Sequence, residues 1–207
     1  MPIIDKKMMK NGFEMGEVIE VRKYILMLMM VSMLCGCSTP RHYVSEAVGL
    51  GYVKRIVVLP FENNTDVKYA EERFRDVVTT EILSRGLFDI VEKGEAQRFL
   101  REELVRKEME TLDLATAQRL GQELNVEAYL AGSVEDFSEK QNGSYSYPLV
   151  AVTLRLVDVK TGQIIWQASD SESGYRTIDR LFGFVSEDAN KISFRLAERL
   201  LNTLQGE

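Results

Sequence analysis

The chain has 207 residues, and its 26 lysines and arginines are outnumbered by 32 aspartates and glutamates, a net charge of −6. That balance lacks the basic footprint of a nucleic-acid binder and argues against electrostatic attraction to anionic lipid. His42 is the only histidine, so no histidine zinc site, triad or general base can be assembled.

Residues 1–20 add Glu14, Glu17 and Glu20 to the front of the chain and do not suit an export signal. Arg22-Lys23 followed by Tyr24 to Leu34, eleven residues without a charge, does suit one. A short basic segment, a brief apolar run and small residues before a cleavage point make a secretory signal. Eleven residues fall short of the about 20 that a membrane-crossing helix needs. Leu34-Cys35-Gly36-Cys37 resembles a bacterial lipobox, which implies cleavage before Cys37 and acylation of its thiol. The plainer alternative is an ordinary signal, or a buried apolar helix with two incidental cysteines. Residues 1–36 are therefore expected to be a signal peptide, with residues 1–20 a mis-assigned start and initiation at Val21. Each acyl chain contributes about 0.8 kcal/mol per buried methylene, and stable anchoring takes more than one. Ser38 after the cysteine favours the outer membrane, with the domain facing the periplasm.

Residues 1–36 hold five basic and four acidic side chains, so residues 37–207 keep 21 and 28, net −7. That length suffices for one domain with a real core. Residues 37–51 read as the lipidated cysteine and a polar linker with Pro40, Gly49 and Gly51. Val53 to Phe61 is the first predicted strand, and its run Ile56-Val57-Val58-Leu59 is apolar without alternation, as expected of a strand covered on both faces. Thr65 or Asp66 is the expected N-cap of a helix with Phe74, Val77, Val78 and Ile82 on one stripe, stopped at Gly86. Leu87 to Val91 is a second short strand. Ala96, Phe99, Leu100 and Leu104 mark a helix over 94–108. Ala117, Leu120, Gly121 and Leu124 mark another, capped by Asp113.

Val126 to Phe137 opens a strand-rich stretch. Val150, Val152, Leu154 and Leu156 alternate with Ala151, Thr153 and Arg155, which predicts one buried face. Asp158 to Gln163 is a hairpin connection with Gly162 available for positive φ, and Ile164 to Ala168 is the return strand. Leu181, Val185, Ala189, Ile192, Leu196 and Leu200 form a helical stripe over 178–204. The expected fold is α/β: a single mixed sheet with helices packed against it, in the order β-α-β-α-α-β-β-β-α.

Three segments carry a resemblance: Val53 to Thr65, Ala128 to Val134 with its Gly132, and Leu154 to Trp166 with Asp158-Val159-Lys160-Thr161-Gly162. In this order, behind a lipobox, they resemble the CsgG-like family of bacterial envelope lipoproteins. Its relatives include LpoB-type activators of cell-wall synthases and the amino-terminal domain of TolB. The likeness covers about residues 52–204 of a domain taken to span 52–207. It implies a mixed sheet flanked by helices and a role in envelope assembly, without catalysis.

Three functions are weighed. A cell-wall-modifying enzyme would need a recognisable catalytic setting, and no G-x-S-x-G is present. A subunit of a CsgG-like secretion channel would need membrane strands of about 9–11 residues with apolar sides, and Glu135 to Gly143 is too polar. A non-catalytic, lipid-anchored protein that binds other envelope proteins, with no cofactor, no metal and no nucleic acid, is the expected function, and it leaves homo-oligomers open. The candidate contact is the polar hairpin from Glu135 to Pro148, with Phe137, Tyr145 and Tyr147, since tyrosines on polar loops add contact area at low entropic cost. The plainer alternative is a solvated tip whose tyrosines pack on the sheet flank. Gly132 is expected to serve a bulge or close packing. Trp166 is expected in the core, and Asn63-Asn64-Thr65 is weighed as a weak anion site.

Overall fold

Seven strands and four α-helices are found among the described residues of the computed structural model, which are 23, 24, 27, 40–45, 49–106, 112–143, 145–175 and 187–205. Cys37, the rest of the signal segment and residues 176–186 lie outside them. The strands are β1 (Arg41–Val44), β2 (Arg55–Val58), β3 (Glu62–Asn63), β4 (Asp89–Ile90), β5 (Ala128–Asn142), β6 (Tyr145–Asp158) and β7 (Ile164–Ser173). The helices are α1 (Ala70–Arg85), α2 (Lys93–Arg106), α3 (Leu114–Leu124) and α4 (Ala189–Asn202). One mixed sheet runs β1-β7-β6-β5-β2-β4, with β3 paired to β5. β2 is parallel to β4 and β5, whereas β5, β6, β7 and β1 form an antiparallel run.

The central strand explains its own composition. Ile56 enters one core and Val57 the other, so an unbroken apolar run is what a strand between two helical layers requires. On one face α1 and α4 bring Phe74, Val78, Ile82, Ile192, Leu196 and Leu200 against Leu130, Val152, Leu154 and Trp166. On the other, Phe99 of α2 and Ala117, Leu120 and Leu124 of α3 cover Val57, Tyr129, Val157 and Val159. Each large aliphatic side chain buried in this way contributes about 1.5–3 kcal/mol. Val152 and Leu154 point into the core and Thr153 and Arg155 do not, as the alternation requires. Trp166 is fully buried, and its indole N–H donates to Thr203 Oγ1 at 2.9 Å.

The helix ends follow local chemistry. Gly86 takes φ 61° after α1 and donates to Ile82 and Leu83, while the Leu87 N–H reaches Ile82 O at 3.1 Å, which satisfies the orphan carbonyls. Asp113 caps α3 by accepting from Thr116 N at 2.8 Å. A Cβ on Gly121 would lie 2.6 Å from Val159 Cγ2, so α3 sits close on the sheet only because that residue is glycine. Farther along β7 the α4 packing turns ionic. Arg199 pairs with Asp170 at 2.6 Å and with Glu172, and Arg195 pairs with Glu172 and Glu187.

Three features differ from the expectation. Arg41–Val44, expected inside the linker, pairs antiparallel with Gln167 to Ser169 and Trp166 as an edge strand. α1 starts at Ala70 and is preceded by Tyr69, not by Thr65 or Asp66. Thr65 Oγ1 is occupied in its own turn, accepting from Val67 N at 3.2 Å. β5, expected to end near Phe137, continues to Asn142, where it pairs with Tyr145.

Candidate functional site

The long hairpin is built by register. A bulge lies between Val134, which faces Val152, and Asp136, which faces Ala151. The extra residue, Glu135, turns the following side chains over, so Phe137 rather than Asp136 lands on the α1 side. Phe137 pairs with Val150 and is buried, only 7% exposed, with the Arg73 guanidinium 4.8 Å from its ring centroid. At the tip Asn142 pairs with Tyr145 and Lys140 with Tyr147, which sets even positions of β5 against odd positions of β6. Directly opposed residues share a face. Tyr145 and Tyr147 therefore lie on the face away from Phe137.

The three candidate residues are thus divided. Tyr145 and Tyr147 stack with ring centroids 6.3 Å apart, and Tyr175, just past β7, packs on them at 5.9 and 5.1 Å. Gly174 allows that close return, since a Cβ there would meet Pro148 at 2.8 Å. Phe137 instead anchors the root of the hairpin beneath Arg73.

Beside Phe137 the chain before α1 is tightly organised. Asn63 Oδ1 accepts from Thr65 N and Oγ1, and its amide donates to Val67 O at 2.9 Å and Glu71 Oε2 at 2.6 Å. Asn64 donates to Glu135 Oε2 at 3.1 Å. The weak anion site considered for these residues has its donors spent on protein acceptors. The turn delivers Tyr69 in the left-handed region, φ 64°, with 66% of its surface exposed. A non-glycine residue held there is uncommon. Four residues along α1, the Arg73 side chain meets the hairpin. Neither Tyr69 nor Tyr175 carried a sequence signal: one depends on a local backbone twist, the other on a return past β7.

Two carboxyls here, Glu135 and Asp136, are shifted down. Hydrogen bonds from Ser133 and Asn64 hold Glu135 below the usual range. Burial pushes Asp136 up, but donation from Ser138 and Lys140 outweighs it and leaves its carboxyl low. Such groups are hydrogen-bond acceptors at neutral pH and have no proton to give as general acids. No group of metal-ligating side chains occurs among the described residues, and no described helix is long and apolar enough to cross a membrane. Gly132 serves close packing: a Cβ there would lie 2.9 Å from Leu154 Cδ2 and 3.1 Å from the Phe61 ring.

Residues 29–171 match the family model described as peptidoglycan-synthase activator LpoB. The chain belongs to the LpoB family. No curated protein matches it. Among solved structures, the PelC dodecamer from Paraburkholderia phytofirmans matches with TM-score 0.55 and 20% identity, covering 82% of this chain and 98% of that one. Lipoprotein GNA1162 from Neisseria meningitidis matches with TM-score 0.50 and 16% identity, covering 74% and 99%. At these identities the likeness extends this LpoB-family chain's fold, and nothing more, to those proteins.

Proposed function

We propose that this protein is a non-catalytic, lipid-anchored envelope protein that binds other envelope proteins during cell-envelope assembly. Cys37 is its anchor, and the outer membrane facing the periplasm is its place. The observation that carries the proposal is the match to a family described by activation of an enzyme rather than by catalysis. A peptidoglycan synthase is accordingly the first partner class to test.

The contact surface we assign is the α1 side of the hairpin. Tyr69 is exposed, Arg73 sits over Phe137, and Glu139, Gln141 and Ser146 continue that side to the tip. Tyrosine and arginine beside a buried anchor are the residue types that dominate protein interfaces. The channel alternative gains nothing from the hairpin, whose faces carry Ser138 and Lys140 on one side and Glu139 and Gln141 on the other. Neither side offers the apolar stripe a membrane strand requires. Self-association remains part of the proposal and is read by light scattering on a chain beginning at Ser38, which keeps β1.

The test replaces Lys140 to Ser146 with a short Gly-rich turn and compares crosslinked partners in intact envelopes. Loss of a partner band from a folded variant supports the hairpin. A folded variant with unchanged crosslinks contradicts it.

A further inference from the structure

The tip of the β5–β6 hairpin holds a reactive pair that the packing of the domain does not use. Asn142 closes β5 opposite Tyr145, and Gly143 follows it in the turn with φ 65°. Residues 37–207 contain six asparagines, and this is the only one of them followed by glycine. Glycine matters there because a main-chain nitrogen with no Cβ beside it is open to close approach by the preceding side chain. An ideal Cβ on Gly143 would find nothing within 4 Å, so no neighbouring group screens that nitrogen. Both residues are exposed.

The other five asparagines are restrained. Asn63 donates to Val67 O and Glu71, Asn64 donates to Glu135, and Asn202 accepts from Arg85 at 2.6 Å. Asn125 ends α3 in the left-handed region ahead of the β-branched Val126, and Asn190 lies in the first turn of α4. The Asn142 side chain takes part in no hydrogen bond among the described residues. Its rung is also the last of the β5–β6 ladder, and frayed ends open at the smallest cost in free energy. An open rung lets the main chain at 142 turn toward its own side chain.

We propose that Asn142-Gly143 is a self-modification site, where the asparagine converts to aspartyl and isoaspartyl forms without an enzyme. The Gly143 nitrogen bonds to Asn142 Cγ, the Cγ–Nδ2 bond breaks, and the Gly143 amide proton leaves with Nδ2 as ammonia. The cyclic imide that results is opened by water at one of its two carbonyls. Addition at Cγ breaks the new bond and leaves an ordinary aspartate. Addition at the main-chain carbonyl carbon leaves the chain running through Cγ, which lengthens the backbone by one carbon. Water replaces ammonia, and nothing is oxidised or reduced. Either product adds a negative charge two residues from Lys140, whose ammonium is already taken by Asp136 at 2.9 Å. The isoaspartyl form also breaks the rung between 142 and Tyr145, and Tyr145 packs on Tyr147 and Tyr175. The site thus dates the hairpin, and it depends on neither an anchor nor a partner.

The protein is held at physiological temperature at neutral and mildly alkaline pH, beside the same protein unfolded in urea. Peptide mass spectrometry follows the six asparagines of residues 37–207, and isoaspartyl methyltransferase labels the isoaspartyl product. Asn142→Gln, which would need a larger ring, and Gly143→Ala serve as controls, with folding checked by circular dichroism. If Gly143→Ala misfolds at its positive φ, the exposed Asn142→Gln decides alone. The expected result is conversion of the folded chain at 142 many times faster than at any other of these asparagines, with none in Asn142→Gln. The rate should rise with pH, because the attacking nitrogen must lose its proton. Hydrogen exchange on the aged protein should show protection lost at the 142–145 rung and kept at Phe137 and Val150. Conversion at 142 in urea but not in the folded chain overturns the proposal, because the hairpin then guards the site. Equal conversion at Asn64 or Asn125, or undiminished conversion in a folded Gly143→Ala, overturns it as well. Isoaspartyl protein that keeps full protection at the tip rejects the loss of the rung.

Discussion

Adding one methyl group at Gly132 tests the packing that brings β3 and the hairpin root together. An ideal Cβ there lies 2.9 Å from Leu154 Cδ2 and 3.1 and 3.2 Å from Phe61 Cδ1 and Cδ2. Carbon pairs prefer about 3.5–4.0 Å, so all three contacts are too close. Leu154 is fully buried directly across the ladder, and Phe61 is buried before β3, so neither can retreat into solvent. Overpacking of this kind costs about 1–3 kcal/mol, and replacing glycine in a strand returns about 0.5–1 kcal/mol. The difference is about 0–2.5 kcal/mol, and with all three contacts closed in Gly132→Ala should fall in the upper half of that range, a midpoint drop of about 2–10 °C for a domain of this size. Thermal and urea unfolding followed by circular dichroism read the change. Gly49→Ala, with nothing within 4 Å of its Cβ, should stay within about 0.5 kcal/mol. Adding Phe61→Leu to Gly132→Ala should recover part of the loss. A Gly132→Ala protein as stable as the parent would refute the close-packing argument.

Phe137→Ala should cost about 3–5 kcal/mol in urea unfolding, because the ring is buried under Arg73; a cost below about 1 kcal/mol would return Phe137 to the surface. Tyr52 donates to the buried Asp158 Oδ2 at 2.6 Å. Burial raises the Asp158 pKa, but hydrogen bonds from Tyr52, Thr161 and Lys160 outweigh it and hold the carboxyl low, while burial and that bond push the Tyr52 hydroxyl up. A depressed carboxyl stabilises the fold above its unfolded pKa of about 3.9, and a raised phenol does so below about 10. Tyr52→Phe should accordingly cost about 1–3 kcal/mol at pH 7 and progressively less as pH falls below about 3.9 toward the lowered carboxyl pKa; a cost that does not shrink with pH there would contradict the pair. Cys37→Ser should move the protein out of the membrane fraction, and lipid labelling that persists in that variant would end the anchor proposal.

Much of this fold was legible because its signals are local or periodic. The unalternated Ile56 to Leu59 run, the alternation from Val150 to Leu156, Gly86 and Asp113 each imposed one conformation. Of the side chains expected to share one core, Ile56, Phe74, Val78, Ile82, Val152, Leu154, Trp166, Ile192 and Leu196 do so, and Val58 packs against it only half-buried. β1 was hidden because Arg41-His42-Tyr43 is polar, and an edge strand with one bare face needs little apolar residue. The division of Phe137 from Tyr145 and Tyr147 could not be read either. It depends on a bulge at Glu135 and on the pairing at the hairpin tip, and a shift of one residue turns every side chain over. Tyr69 is set by the hydrogen bonds of Asn63 and Thr65, which stop α1 from starting where Thr65 or Asp66 would have capped it.

The central claim is that the protein acts by binding rather than by catalysis, and a reconstituted cell-wall reaction measures it directly. The processed protein is mixed with peptidoglycan synthases from the same envelope and their lipid-linked substrate, with binding and glycan polymerisation followed together. The account predicts no turnover by the protein alone, binding to one synthase with a changed rate, and loss of both on Tyr69→Ala combined with Arg73→Glu. Turnover by the protein alone, or synthases that neither bind it nor respond to it, would contradict the account.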